Sequence, residues 1–121
     1  MIARYTHSTA PQVHICRLAR LLNDEVGFID VPAAYRCSGA ALGHVSLTVN
    51  QTAQQSGAGH ATTATGTQDV NCDGQPRRVG IPSNPNPTIV GFNLGPAWAT
   101  VTLTDPSGAT ATDTRMIFIV A

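Results

Sequence analysis

Polar and apolar residues alternate along 44–50. His44, Ser46, Thr48 and Asn50 share one side and Val45, Leu47 and Val49 the other, the two-residue period of a β-strand with one buried face. The same period returns after Gly95 and Pro96, with Ala97, Ala99, Val101 and Leu103 on one side and Trp98, Thr100, Thr102 and Thr104 on the other. Residues 60–72 form a third Thr-rich strand, with Gly66 as an interruption, and Arg77–Ile81 is a short fourth. Between them, 51–59 is polar and Gly-bearing and suits a hairpin loop. Asn71–Gly74 and Asp105–Gly108 carry reverse-turn sequences, and 82–87, with three prolines, reads as a stiff loop before an edge strand over 88–94.

Two regions depart from this pattern. Over 12–23, Ile15, Leu18, Ala19 and Leu22 follow helical spacing, yet the same residues also read as a strand that turns at Asn23–Asp24 into a second strand over 26–31. Periodicity alone leaves both readings open. Residues 116–121 are apolar at every position, which predicts a strand wanting cover on both faces, supplied by neighbours in its own sheet or by another subunit. Met116, Phe118 and Val120 are the candidate interface residues for a homo-oligomer.

A chain of 121 residues has room for one domain. The strand pattern assigns 1–12 to an N-terminal tail and 13–121 to a single all-β sandwich. Cys37 and Cys72 lie in a stretch that reads, from Tyr35 onward, as short Thr- and Val-rich strands, and joining them would close a loop of about 36 residues, worth roughly 3–4 kcal/mol by restricting the unfolded chain. The alternative is a pair of reduced, buried thiols in a cytosolic protein. Cys16 is then odd, either a small buried hydrophobe or a reactive thiol.

Charged residues are only 12% of the chain, so its surface must be built from Thr, Ser, Asn, Gln and Gly. Seven arginines balance seven acidic residues, and this neutrality argues against a nucleic-acid partner. There is no run of 18 apolar residues to cross a membrane, and 1–10 lacks the pattern of an export signal.

Candidate chemistry is sparse. His7, His14, His44 and His60 lack metal-ligand spacing, and Asp69, Asp73, Asp105 and Asp113 sit near turns, where their carboxylates cap backbone amides. No Ser occupies a nucleophile elbow, and the expectation is a non-enzymatic protein without cofactor or metal. Asn50-Gln-Thr52 matches a glycosylation acceptor. Trp98, by parity on the Thr side of its strand, is either an aromatic platform for a sugar or protein surface, together with Thr100, Thr102 and Thr104, or a cap on one end of the core.

Tyr-Arg-Cys-Ser-Gly at 35–39, Val-Ser-Leu-Thr-Val-Asn-Gln at 45–51, Val-Asn-Cys-Asp-Gly-Gln at 70–75, Gly-Pro-Ala-Trp-Ala-Thr-Val at 95–101 and Ala-Thr-Asp-Thr-Arg at 111–115 follow in an order that resembles small secreted immunoglobulin-like domains of actinobacteria. Lysine-free, Ala- and Thr-rich composition suits a GC-rich genome of that kind. The resemblance implies an immunoglobulin-like antiparallel β-sandwich with one intradomain disulfide, a hairpin over 13–31, and an extracellular or cell-envelope location. Trp98 follows both cysteines, whereas an antibody domain places its tryptophan between them. The functional expectation is a module that binds a protein or glycan. The alternatives are a self-assembling structural subunit using the C-terminal strand, and a small inhibitor or carrier that inserts the 82–87 loop.

Overall fold

The computed structural model describes residues 10–23, 28–56, 61–85 and 92–121. Eight strands account for most of them: β1 (Gln12–Ile15), β2 (Leu18–Asn23), β3 (Phe28–Arg36), β4 (Ala41–Gln51), β5 (Thr62–Cys72), β6 (Arg77–Pro85), β7 (Gly95–Thr104) and β8 (Thr110–Val120). One helical turn, α1 (Ala53–Ser56), follows β4. It is closed by a reciprocal cap in which Gln55 N–H donates to Thr52 Oγ1 and Thr52 N–H donates to Gln55 Oε1.

The strands form an immunoglobulin-like β-sandwich. A smaller layer, β1–β3–β6, faces a larger one, β8–β7–β4–β5. Every pairing is antiparallel except that of β2 with β8. β2 also pairs with β3, and the end of β6 reaches β5, so hydrogen bonding links the layers along both sides.

The core follows from the alternation. Val45, Leu47 and Val49 of β4 and Ala97, Ala99, Val101 and Leu103 of β7 are fully enclosed, facing Ile29, Val31 and Ala33 of β3 and Ile81 of β6. Each large aliphatic side chain hidden here contributes about 1.5–3 kcal/mol. The Cys37–Cys72 disulfide joins the chain just beyond β3 to the end of β5, with Cα atoms 4.5 Å apart.

Over 12–23 the chain is extended, not helical. β1 and β2 lie along the same flank of β3, in a hairpin interrupted at Cys16–Arg17. The interruption carries β2 across to β8, where Phe118 N–H donates to the Arg17 carbonyl. The outer flank of β1 is closed by a side chain from the opposite layer, since Ile15 N–H donates to Asp113 Oδ2 at 2.8 Å. Gln12, expected in the tail, pairs with Arg36, while 1–9 of that tail lie outside the described residues.

Two expectations about the middle of the chain are corrected. The stretch predicted as a Pro-rich loop from 82 is strand as far as Pro85. Cys16 N–H donates to the Pro32 carbonyl, so Pro32 directs its polar groups toward β1 and its register partner on β6, Gly80, takes no ladder bond from it. Two positions along, Pro82 faces Asp30 with the same polarity, so its missing N–H costs the β3–β6 ladder no bond and points away from β3, to the side on which β5 crosses. The expected edge strand at 88–94 falls largely outside the described residues, as do 57–60 of the predicted hairpin loop.

Gly66 does not interrupt β5, which runs unbroken from Thr62 to Cys72. It marks the crossing of β5 and β6, where a Cβ would stand 2.3 Å from the Pro82 carbonyl oxygen. Glycine there is a packing requirement.

In β8 the fold covers one of the two apolar faces: Ile117 and Ile119 point inward, while Phe118 and Val120 are exposed on the single chain. A sheet in a two-layer sandwich has one covered face, so cover for the other apolar residues does not come from this chain.

Candidate functional site

Register fixes the outer face of the larger layer, because directly paired residues point to the same side. Across β4, β7 and β8 the rows read Asn50–Trp98–Met116, Thr48–Thr100–Thr114, Ser46–Thr102–Thr112 and His44–Thr104–Thr110. β5 extends them with Thr63, Thr65, Thr67 and Asp69.

Within these rows the polar side chains bond to each other. Thr100 and Thr114 hydroxyls lie 3.1 Å apart and those of Thr102 and Thr112 3.2 Å apart. Thr63 Oγ1 donates to Asn50 Oδ1 at 2.8 Å, and His44 Nδ1 lies 3.2 Å from Asp69 Oδ1 in an exposed pair. β-branched threonines suit such a pleated, half-covered surface, each cross-strand pair contributing about 0.2–1 kcal/mol.

Trp98 interrupts this hydroxyl lattice. It is 47% exposed, flanked by Asn50 and Met116 in the interior of the sheet. The alternative in which it caps the core does not hold, since its neighbours Ala97 and Ala99 fill the inward positions.

The second set of predicted residues adjoins it. Phe118 (45% exposed) sits beside Pro96 on β7 and Leu18 (60% exposed) on β2, and Val120 (37% exposed) follows beside Arg20. Trp98, Thr100, Thr102 and Thr104 therefore share a face with Met116, Phe118 and Val120, and one end of that face is apolar. Sequence reading missed Leu18, whose place depends on the parallel β2–β8 pairing and leaves no local trace.

One buried polar side chain holds the approach to this end. Gln51, enclosed at the foot of β4, donates through Nε2 to the carbonyls of Asn93 and Pro96 and accepts from Asn93 N–H through Oε1. The amide fixes the chain that leads into Trp98.

The opposite pole carries the disulfide and three turns. In the β7–β8 turn the Asp105 carboxylate accepts from Ser107 Oγ, Ser107 N–H and Ala109 N–H, and these bonds hold its pKa below the usual carboxylate value. Gly108 closes the turn with φ of 93°. In the β5–β6 turn, Arg77 and the Gln75 amide lower the pKa of Asp73 to about 2.

The remaining candidates scatter. Cys16 is a free thiol, half-buried, with Arg78 Nη2 3.0 Å from its sulfur. Among the described residues no three His, Cys, Asp or Glu side chains converge as a metal site would require, and no helix is long and apolar enough to cross a membrane. No protein-family model matches the chain, and no curated protein matches it.

Proposed function

We propose that this protein is a non-enzymatic binding module of the extracellular space or cell envelope, recognising a protein or glycan surface through the outer face of β4, β7 and β8. The observation that carries the reading is Trp98, half exposed inside a sheet face otherwise built from small hydroxylated side chains. An aromatic ring held there offers a flat apolar platform at low entropic cost, ringed by hydrogen-bonding groups. An intramolecular disulfide is compatible with an oxidising location outside the cell.

Glycan arrays and pull-downs with the purified, oxidised protein test this. Binding by the native chain and its loss in a folded Trp98→Ala variant support the reading; a folded protein that retains nothing from either screen rejects it.

A second reading, a self-assembling subunit, is favoured by the exposed cluster of Leu18, Phe118 and Val120. Such an assembly would meet face to face. Donation of β8 to a neighbour's edge is disfavoured, because β8 is already bonded to β7 along its length and to β2 at its end. Light scattering decides it: a monomer at high concentration removes the reading. The inhibitor reading, which uses 82–87 as an inserted loop, is less favoured, since the chain through Pro85 is strand.

A further inference from the structure

On the other layer, near the disulfide pole, a cavity of about 200 Å3 opens between β1, β3 and the start of β6. Its polar lining consists of Gln12 and His14 from β1, Arg36 from β3 and Arg77 from β6, over a floor formed by Ala34 and Tyr35. The amide and the imidazole each supply an N–H, and the guanidiniums supply charge.

Both arginines are held in place before any ligand arrives. Arg36 Nε donates to the Gly74 carbonyl at 2.8 Å, and Gly74 N–H donates to the Cys37 carbonyl at 2.8 Å. Arg77 is bonded to Asp73 in the same turn. The disulfide thus fixes the turn, and the turn fixes the guanidinium of Arg36.

The nearby charges leave this site electropositive. Asp73 offsets Arg77, Arg78 turns toward Cys16, and Asp113, bonded to Ile15 N–H on the outer flank of β1, is matched by Arg115, so among the described residues Arg36 is the uncompensated charge in the cavity. The other acidic residue on this face of β3, Asp30, is six residues away, about 20 Å along an extended strand. A charge-bearing fork held in position next to neutral donors matches an oxyanion, because Arg binds carboxylate or phosphate oxygens through two parallel bonds and pre-ordered side chains lose less entropy on binding.

We propose that this cavity binds a carboxylate or phosphate group of a ligand, as a site separate from the Trp98 face, with Arg36 as the charged contact and Gln12 and His14 as accessory donors. The site depends on the oxidised disulfide through Gly74.

The test is a titration of the oxidised full chain with inorganic phosphate and, in a second arm, acetate, at constant ionic strength held with chloride, following the backbone amides of Ala34, Tyr35 and Arg36 by NMR. The proposal expects saturable shifts, at least a tenfold loss of affinity in Arg36→Gln, about a threefold loss in Gln12→Ala, and no change in Trp98→Ala. Saturation by one anion alone assigns the source as phosphate ester or carboxylate, and saturation by both as any oxyanion. Shifts no larger than those with chloride overturn the proposal, as does full affinity in Gln12→Ala and Arg36→Gln together. Gln12 is exposed, so its variant remains informative if Arg36→Gln unfolds. Reduction of the disulfide should weaken binding in a chain that stays folded.

Discussion

The two outer faces of the sandwich share one core and differ in chemistry. On the larger layer, Thr and Asn side chains bond one another in rows around Trp98, with the exposed His44–Asp69 pair at the far end. On the smaller layer the strands carry Pro32, Gly80 and Pro82, and charged groups gather at the disulfide pole, where a turn orients Arg36 and Arg77. The contrast shows two ways to build a rigid surface with few charges. One uses hydrogen-bonded strand pairs over a long register; the other uses a covalent tie and a short turn.

The largest effect should come from breaking that tie. Cys72→Ser, paired with Cys37→Ser, is expected to lower stability by about 3–4 kcal/mol through the freed loop. Urea denaturation reads the loss, and amide exchange should rise most at Gly74 and Arg36 while the 98–104 strand stays protected.

Next, Gln51→Leu strips two carbonyls and one N–H of the partners that hold Asn93 and Pro96. A cost of about 1–3 kcal/mol is expected for leaving buried polar groups unpaired. This effect belongs to the Trp98 end, so the tryptophan spectrum should change with it, whereas the disulfide variant should leave the spectrum near native.

A smaller effect separates the poles by pH. The Asp105 carboxylate is stabilised in the fold, so its folded pKa lies below the unfolded one. Its contribution is complete above the unfolded value, about 3.9, and is lost as pH falls through the lower folded value. Asp105→Asn should therefore flatten the acid limb of a stability profile measured by urea midpoints, leaving its shape near neutrality unchanged. Asp73, lowered to about 2, titrates in the same direction.

The smallest effect is expected at the candidate binding residue. Trp98→Ala should change stability by no more than about 0.5 kcal/mol, as for surface substitutions that touch no core or cap, when followed by thermal melting. A large loss would mean that the ring supports the core.

How far the chain announced this arrangement depends on the face. β4 and β7 were legible because Val45, Leu47 and Val49, and Ala97 to Leu103 at alternate positions, repeat with period two under a one-sided core. The Asp105–Gly108 turn was legible from its own residues. The disulfide was anticipated from where its cysteines fall between extended segments, and the structure forms it.

What was hidden depends on distant partners. Pro82 is compatible with a strand because its nitrogen is turned away from the β3 ladder, a property of the β3–β6 register. Gly66 looked like a break, yet it serves the crossing with Pro82 and Ser83. Helical spacing at 15–22 lost to pairing with β3 and β8, which no local pattern encodes. The site divides the same way. Parity placed Trp98 among threonines, but joining it to Phe118 and Leu18 required three strands in register, and the Arg36 cavity required a turn 38 residues away in sequence.

Trp98 is the single tryptophan of the chain, so its fluorescence reports one position. The most direct measurement is acrylamide quenching of the native, oxidised protein beside the same chain in urea. The account predicts a red-shifted native emission that acrylamide quenches readily, with only a modest further increase on unfolding. A blue-shifted emission protected from quencher until the fold is lost would contradict it, placing the ring inside the core and removing the face on which the proposed function rests.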